Sequence, residues 1–140
     1  MNRAMLIFAS SILLIFCGCK EQSDTIVFMP GVSGADQDSV QTFVSDFSLA
    51  LHEDRACSGV KLILSDPYKD SPDVRQQVES SHWHLLVSVI PQADTDNGKQ
   101  LWSVIHDGQP NGSAWSEPKS MAHSVCAIVK GTGGSVQSSG

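Results

Sequence analysis

Basic residues are scarce in this sequence and are nowhere clustered. The 140-residue chain has 9 Lys and Arg against 15 Asp and Glu, a formal net charge of -6, and no run of like charge. Nucleic acids and anionic lipid headgroups are bound by clustered Lys and Arg, because these side chains neutralise phosphates. We therefore expect no nucleic-acid partner, and we attribute the negative charge to solubility.

Several motifs that carry chemistry are also missing. Residues 31–34 do not form a G-x-S-x-G nucleophile elbow, and the chain has neither a GxGxxG nor a P-loop pattern. Residues 94–98 place glycine where a calcium loop needs Asp or Asn. Asp66, Asp70 and Asp73 are better explained by the start of a helix than by paired-carboxylate catalysis. We expect no enzyme activity and no cofactor.

The one long apolar run lies at the N-terminus. Residues 4–16 are apolar apart from two serines and follow a short basic segment. The run is too short to cross a bilayer as a helix, which needs about 20 residues. It therefore predicts a targeting leader rather than a permanent anchor.

The end of this leader resembles a bacterial lipoprotein signal peptide. In the stretch Ile-Phe-Cys-Gly-Cys, Cys19 follows small Gly18, as signal peptidase requires, whereas Cys17 follows bulky Phe16. The resemblance implies diacylglycerol on the Cys19 thiol, cleavage after Gly18 and acylation of the new amine with palmitate. Several acyl chains hold a protein on a bilayer more firmly than one. Plain secretion with cleavage elsewhere is the alternative.

This resemblance divides the chain into four parts. They are a signal peptide (1–18), the lipidated Cys19 with a short tether (19–25), a single α/β domain (26–130) and a flexible Gly/Ser-rich tail (131–140). Lys20 stands where Asp often retains lipoproteins at the inner membrane. The resemblance thus implies a location at the periplasmic face of the outer membrane in a Gram-negative source.

Two cysteines, Cys57 and Cys126, remain in the predicted mature domain. An oxidising periplasm tends to pair such residues, so we predict a Cys57–Cys126 disulfide. Unpaired buried cysteines are one alternative. A redox or catalytic thiol is another, although the CxxC spacing is absent.

Apolar periodicity and capping residues predict an α/β fold of order β-α-β-α-β-β-α. The predicted strands are 26–29, 60–64, 85–90 and 101–105, and the predicted helices start at Asp38, Ser71 and Ser116. Residues 91–99 are expected to form a long hairpin tip, and residues 107–116 a loop. Right-handed crossovers would make the first three strands parallel and the fourth antiparallel. We expect a two-layer sandwich with a mixed four-stranded sheet.

This element order, with HLLVSVI and GKQLWSVIHDG before a last helix, is similar to that of the N-terminal domain of TolB and of the lipoproteins LpoB and CsgG. Those proteins act as envelope adaptors, activators or pore subunits and are not hydrolases. The likeness is one of fold. It implies a non-catalytic role at the cell envelope.

His82, His84 and His106 are the candidate metal ligands. The first two are two positions apart at the start of a strand and could point the same way, and the third lies on the predicted partner strand. Such an arrangement could hold Zn²⁺ or Cu²⁺ through the imidazoles. Trp115 is a candidate partner or glycan contact, whereas core filling is the expected role of Trp102.

The leading functional hypothesis is a lipid-anchored adaptor that docks onto an envelope protein or a cell-wall component. A periplasmic metal- or ligand-binding lipoprotein using the histidines is the alternative. A hydrolase whose residues meet only in three dimensions is a further one, as is a component of a secretion system or mobile element.

Overall fold

The computed structural model describes residues 24–32, 36–90 and 98–131, which form a five-stranded mixed sheet and three helices. The strands are β1 (Thr25–Val32), β2 (Lys61–Leu64), β3 (Trp83–Val89), β4 (Gln100–His106) and β5 (Gln109–Ser116). The helices are α1 (Gln37–Glu53), α2 (Pro72–Ser80) and α3 (Pro118–Val129). The predicted signal peptide, Cys19, most of the hairpin tip and nearly all of the tail lie outside the described residues.

The strand order across the sheet is β2-β1-β3-β4-β5. Strand β1 pairs in parallel with both β2 and β3, whereas β4 pairs antiparallel with β3 and with β5. The predicted α/β class and mixed sheet are confirmed. The predicted count of four strands is wrong, because the sheet has a fifth strand at its edge.

The fifth strand lies within the segment 107–116, which is predicted to be a loop. Asp107 and Gly108 have φ values of 48° and 77°, and positive φ at both central residues is typical of a tight hairpin turn. The chain therefore reverses at once and returns along β4. Gly112 lies within the strand, where a Cβ atom would meet Ile128 Cδ1 at 2.9 Å. This glycine thus allows close approach of α3 rather than marking a second turn.

The main core lies between one face of the sheet and the two longer helices, α1 and α3. The ring of Phe28 on β1 lies 5.9 Å from that of Phe43 and 5.8 Å from that of Phe47, both on α1. Trp102 is buried in the same cluster, and its indole Nε1 donates a hydrogen bond to Ser116 Oγ at 2.6 Å. The predicted core role of Trp102 is therefore confirmed.

Side-chain caps fix where two of the helices begin. Helix α1 starts after Asp36, whose Oδ1 accepts a hydrogen bond from the Ser39 amide at 2.6 Å, so the predicted cap at Asp38 is wrong by two residues. The predicted start at Ser71 is confirmed, since Ser71 Oγ accepts from the Val74 amide.

The start of α3 differs from the prediction. The helix begins at Pro118, after Glu117, which makes no side-chain capping hydrogen bond. Ser116 is unavailable as a cap because it is the last residue of β5 and its hydroxyl accepts from Trp102.

Helix α2 lies on the opposite face of the sheet from α1 and α3. Its Val78 carbonyl lies 3.3 Å from His84 Nε2 on β3, and its Gln77 accepts a hydrogen bond from Lys61 at the start of β2. The crossover from β1 to β2 and the crossover from β2 back to β3 run in opposite directions across the sheet. If both are right-handed, their helices must lie on opposite faces. The expected two-layer sandwich therefore carries a short third layer.

The predicted disulfide between Cys57 and Cys126 is present. It joins the turn after α1 to the C-terminal half of α3, with 5.9 Å between the two Cα atoms. Both cysteines are buried in the main core. The bridge thus ties together the two helices that cover the same sheet face.

Replacing both Cys57 and Cys126 by Ala is expected to lower the free energy of unfolding by about 4 kcal/mol in the chain-entropy description. The physical reason is that the bridge spans a separation of 69 residues and so restricts the unfolded chain. Equilibrium urea denaturation measures the change. Reduced wild-type protein is the control, because it keeps both side chains and lacks only the bridge. Equal stability of the oxidised and reduced wild type would contradict this prediction.

Candidate functional site

The sheet face opposite α1 and α3 is only partly covered. Helix α2 has nine residues, and its contacts are with β2 and the beginning of β3. Among the described residues, no helix lies over the rest of this face. The side chains left open come from β1, β3, β4 and β5. We call this region the uncovered face and define it by Met29, Gly31, Leu86, Ser88, Leu101, Ser103, Ser113 and Trp115.

Large apolar side chains of the uncovered face reach solvent. Trp115 is 59% exposed, Leu101 41% and Leu86 39%. Their neighbours in sequence on the same strands, such as Val87 and Trp102, are buried beneath the helices. This alternation follows from the period of two in a strand, which sends adjacent side chains to opposite faces.

A shallow apolar groove of about 490 Å³ runs along this face. Its floor includes Met29, Leu86 and Leu101, and Pro67 from the segment after β2 forms part of its wall. Tyr68, which follows this proline, is 94% exposed. None of the eight residues that define the uncovered face carries a charge. An uncharged surface with several exposed large apolar side chains is typical of a protein-binding surface.

The acidic residues after β2 stabilise the turn beside this groove. One carboxylate, that of Asp70, accepts hydrogen bonds from Ser65 Oγ at 2.8 Å and from the Asp66 amide at 2.9 Å. Asp66 in turn accepts from the Tyr68 amide. These hydrogen bonds account for Asp66 and Asp70 as turn-forming residues, and Asp73 lies in the first turn of α2. The predicted place at the start of a helix is therefore correct for Asp73, whereas Asp66 and Asp70 belong to the preceding turn.

The three candidate metal ligands are divided between different surroundings. The His84 imidazole lies on the α2 side of the sheet, near the Val78 carbonyl. The His106 ring instead stacks on Trp83, with 4.1 Å between the ring centroids. Within the described residues, no group of three His, Cys, Asp or Glu side chains is arranged to hold a metal ion.

Asp107, the first residue of the segment predicted to be a loop, contacts two of these histidines. Its Oδ1 lies 2.5 Å from His82 Nδ1 and its Oδ2 lies 3.6 Å from His106 Nε2. The hydrogen bond from His82 holds the pKa of the Asp107 carboxyl below its ordinary value, and the nearby charges of both histidines act in the same direction. A signal for this contact is present in the sequence, because Asp107 begins the Asp-Gly turn that faces the start of β3.

A second groove lies where β1 and β3 end, between the N-termini of α1 and α3. Asp36, Asp38, Asp46 and Glu117 line it. In doubly wound α/β folds this position is where phosphate-bearing ligands bind. Four carboxylates would repel such a ligand, which agrees with the missing phosphate-binding motifs.

Replacing His82 by Ala is expected to raise the pKa of Asp107 toward the ordinary value of an aspartate. The physical reason is that His82 supplies the hydrogen bond that chiefly lowers this pKa. Because the pKa of Asp107 is lower in the folded state, its carboxylate stabilises the fold at every pH above the ordinary pKa of an aspartate. This stabilisation is lost as the pH falls through the lowered pKa of the folded state. Carboxyl-carbon NMR titration measures the pKa.

The matched control for this titration is His123→Ala. His123 lies 4.0 Å from a different carboxylate, that of Asp54, so this substitution should leave the Asp107 titration unchanged. An Asp107 pKa that stays low in the His82→Ala variant would show that another group is responsible.

None of the helices in the described part of the chain has the length and apolar character needed to cross a bilayer. Comparison with known proteins adds no family to this description. No family model matches the sequence, and no curated protein is significantly similar to it.

Proposed function

We propose that this chain is a lipid-anchored, non-catalytic docking module of the cell envelope, held on the membrane through acylated Cys19. The observation that supports a docking role is the uncovered face, where Leu86, Leu101 and Trp115 reach solvent and none of the eight defining residues is charged. Covering these side chains releases water from apolar surface, which favours association at about 25 cal/mol per Å². A protein partner is the occupant that fits such a surface.

The composition of the uncovered face supports a protein partner over a charged ligand. Aromatic residues are enriched and charged residues depleted at the centres of protein interfaces. Trp115 supplies a large and rigid contact, and Tyr68 at the rim is a second exposed aromatic side chain. Such aromatic anchors commonly account for most of the binding free energy of an interface.

The position of the uncovered face along the strands fits an anchored protein. The tether enters the domain at Asp24, immediately before β1. Gly31 and its sheet neighbours lie near the other end of this strand, about 20 Å away at 3.3 Å per residue. A chain anchored through residue 19 would therefore hold the face away from the lipid surface, within reach of a periplasmic partner.

The test is affinity purification of the full chain from membranes of its own host after mild crosslinking, with the intact mass measured. Wild type should carry acyl mass and crosslink to a specific protein, whereas Cys19→Ala should lose the acyl mass and leave the membrane fraction. Leu101→Lys should keep the acyl mass and lose the crosslinked product, because a buried unpaired charge opposes docking.

The matched control is Leu49→Lys. Leu49 is an exposed leucine on α1, 65% accessible and remote from the uncovered face, so this variant should keep both the acyl mass and the crosslinked product. An unacylated wild type would contradict the anchor. Identical crosslinked products from Leu101→Lys and wild type would contradict docking at this face.

A further inference from the structure

We propose that the occupant of the uncovered face is a second copy of this chain. This inference rests on the proposed docking role and names the partner. The inference depends on how the strand registers distribute large and small residues over the face. The face combines two pairs of large apolar side chains with two pairs of small residues.

The first row across the face has its large residues on β1 and β3. Met29 pairs with Leu86 in the parallel register between these strands. Leu86 pairs with Ser103 on β4, and Ser103 pairs with Ser113 on β5. The row therefore reads large, large, small, small.

The next row reverses this order. Gly31 pairs with Ser88, and continuing the antiparallel register between β3 and β4 by one residue puts Ser88 beside Leu101. Leu101 pairs with Trp115. This row reads small, small, large, large, so the two rows together form a checkerboard of ridges and hollows.

A checkerboard of this kind is complementary to itself. Rotation of a second copy by 180° about an axis along the strands places Leu86 opposite Ser103 and Trp115 opposite Gly31. Rotation about an axis across the strands places Leu86 opposite Ser88 and Trp115 opposite Ser113. In both cases every large side chain meets a small residue, as a two-fold interface requires. Both rotations also keep the strands of the two sheets aligned, as in stacked sheets.

The charge distribution leaves the uncovered face as the place where two copies can meet. Each copy carries a formal charge of -6, so two copies repel one another over most of their surfaces. The residues that define the uncovered face carry no charge, which lets two such faces meet without burying like charges. A strongly basic partner, in contrast, would find no carboxylate on these eight positions.

The size of the checkerboard predicts a weak dimer. Four strands and two rows cover roughly 20 Å by 15 Å at ordinary sheet spacings. This is well below the area of about 800 Å² per partner that is typical of stable complexes. Confinement of anchored copies to one membrane surface would raise their effective concentration and compensate for the low affinity.

Sedimentation equilibrium of the full chain in density-matched detergent, over a range of protein concentrations, tests the dimer. Wild type should show a reversible monomer–dimer equilibrium. Leu86→Lys and Trp115→Lys should each weaken association by about tenfold or more, because two-fold symmetry introduces two buried charges. The control Leu49→Lys should match wild type, and circular dichroism should show that all variants remain folded.

Mixing variants identifies the arrangement of the two copies. Leu86→Lys chains should associate with Ser103→Glu chains if the axis lies along the strands, or with Ser88→Glu chains if it lies across them. Either mixture should associate about tenfold more tightly than each variant alone, since opposite charges then meet. Association in either mixture supports a second copy as the occupant of the face. The two results differ only in the direction of the two-fold axis that relates the copies.

A monomeric wild type, or a dimer that Leu86→Lys and Trp115→Lys leave unchanged, would overturn this inference. Loss of a crosslinked envelope protein of a different sequence in Leu101→Lys, together with a monomeric wild type, would overturn it while the docking role stands. An unacylated chain that still dimerises through this face would support the proposed self-association and contradict the proposed lipid anchor.

Discussion

Cys57 and Cys126 join the turn after α1 to α3, and both helices lie over the same face of the sheet. Packing of Phe43 and Phe47 against Phe28 adds to this contact, so one face is buried under two long, covalently linked helices. The remaining helix is α2, with nine residues. Because right-handed crossovers send it to the other face, the described residues cover that face only near β2 and the beginning of β3. The uncovered face is the direct result of this unequal distribution.

The local elements follow from short-range patterns in the sequence. Apolar runs identify four strands, and Ser71 with Pro72 identifies the start of α2, because these features depend on residues a few positions apart. The disulfide is also predictable, since two cysteines remain in the domain. Strand β5 is not predictable, because Asn111-Gly112 resembles a turn in the sequence. The structure shows instead that Gly112 lies in a strand against which α3 packs closely. The predicted cap of α3 at Ser116 is wrong for a similar reason, because the Ser116 hydroxyl accepts a hydrogen bond from Trp102, which is distant in the sequence.

The candidate site depends on long-range information. The alternation of Leu86 with Ser88, and of Leu101 with Ser103, is visible in the sequence, but it does not show which face the helices cover. The three histidines are close in the predicted hairpin, yet strand alternation sends His84 to the α2 side while His106 stacks on Trp83. Asp107 meets His82 only because the chain turns immediately after β4. Exposure of Trp115, by contrast, agrees with its predicted role at the surface.

Strand β5 is also one of the two edges of the described sheet, which has a consequence for how copies of this chain could accumulate. An open edge can recruit strands from further molecules and so extend without limit into fibrils. Here Pro110 lies near the start of the strand, and an irregularity between Val104 and Ile105 interrupts the register. Both features shorten the regular edge that another strand could extend. Assembly through the β5 edge is thereby discouraged, whereas the proposed contact between faces closes after two molecules.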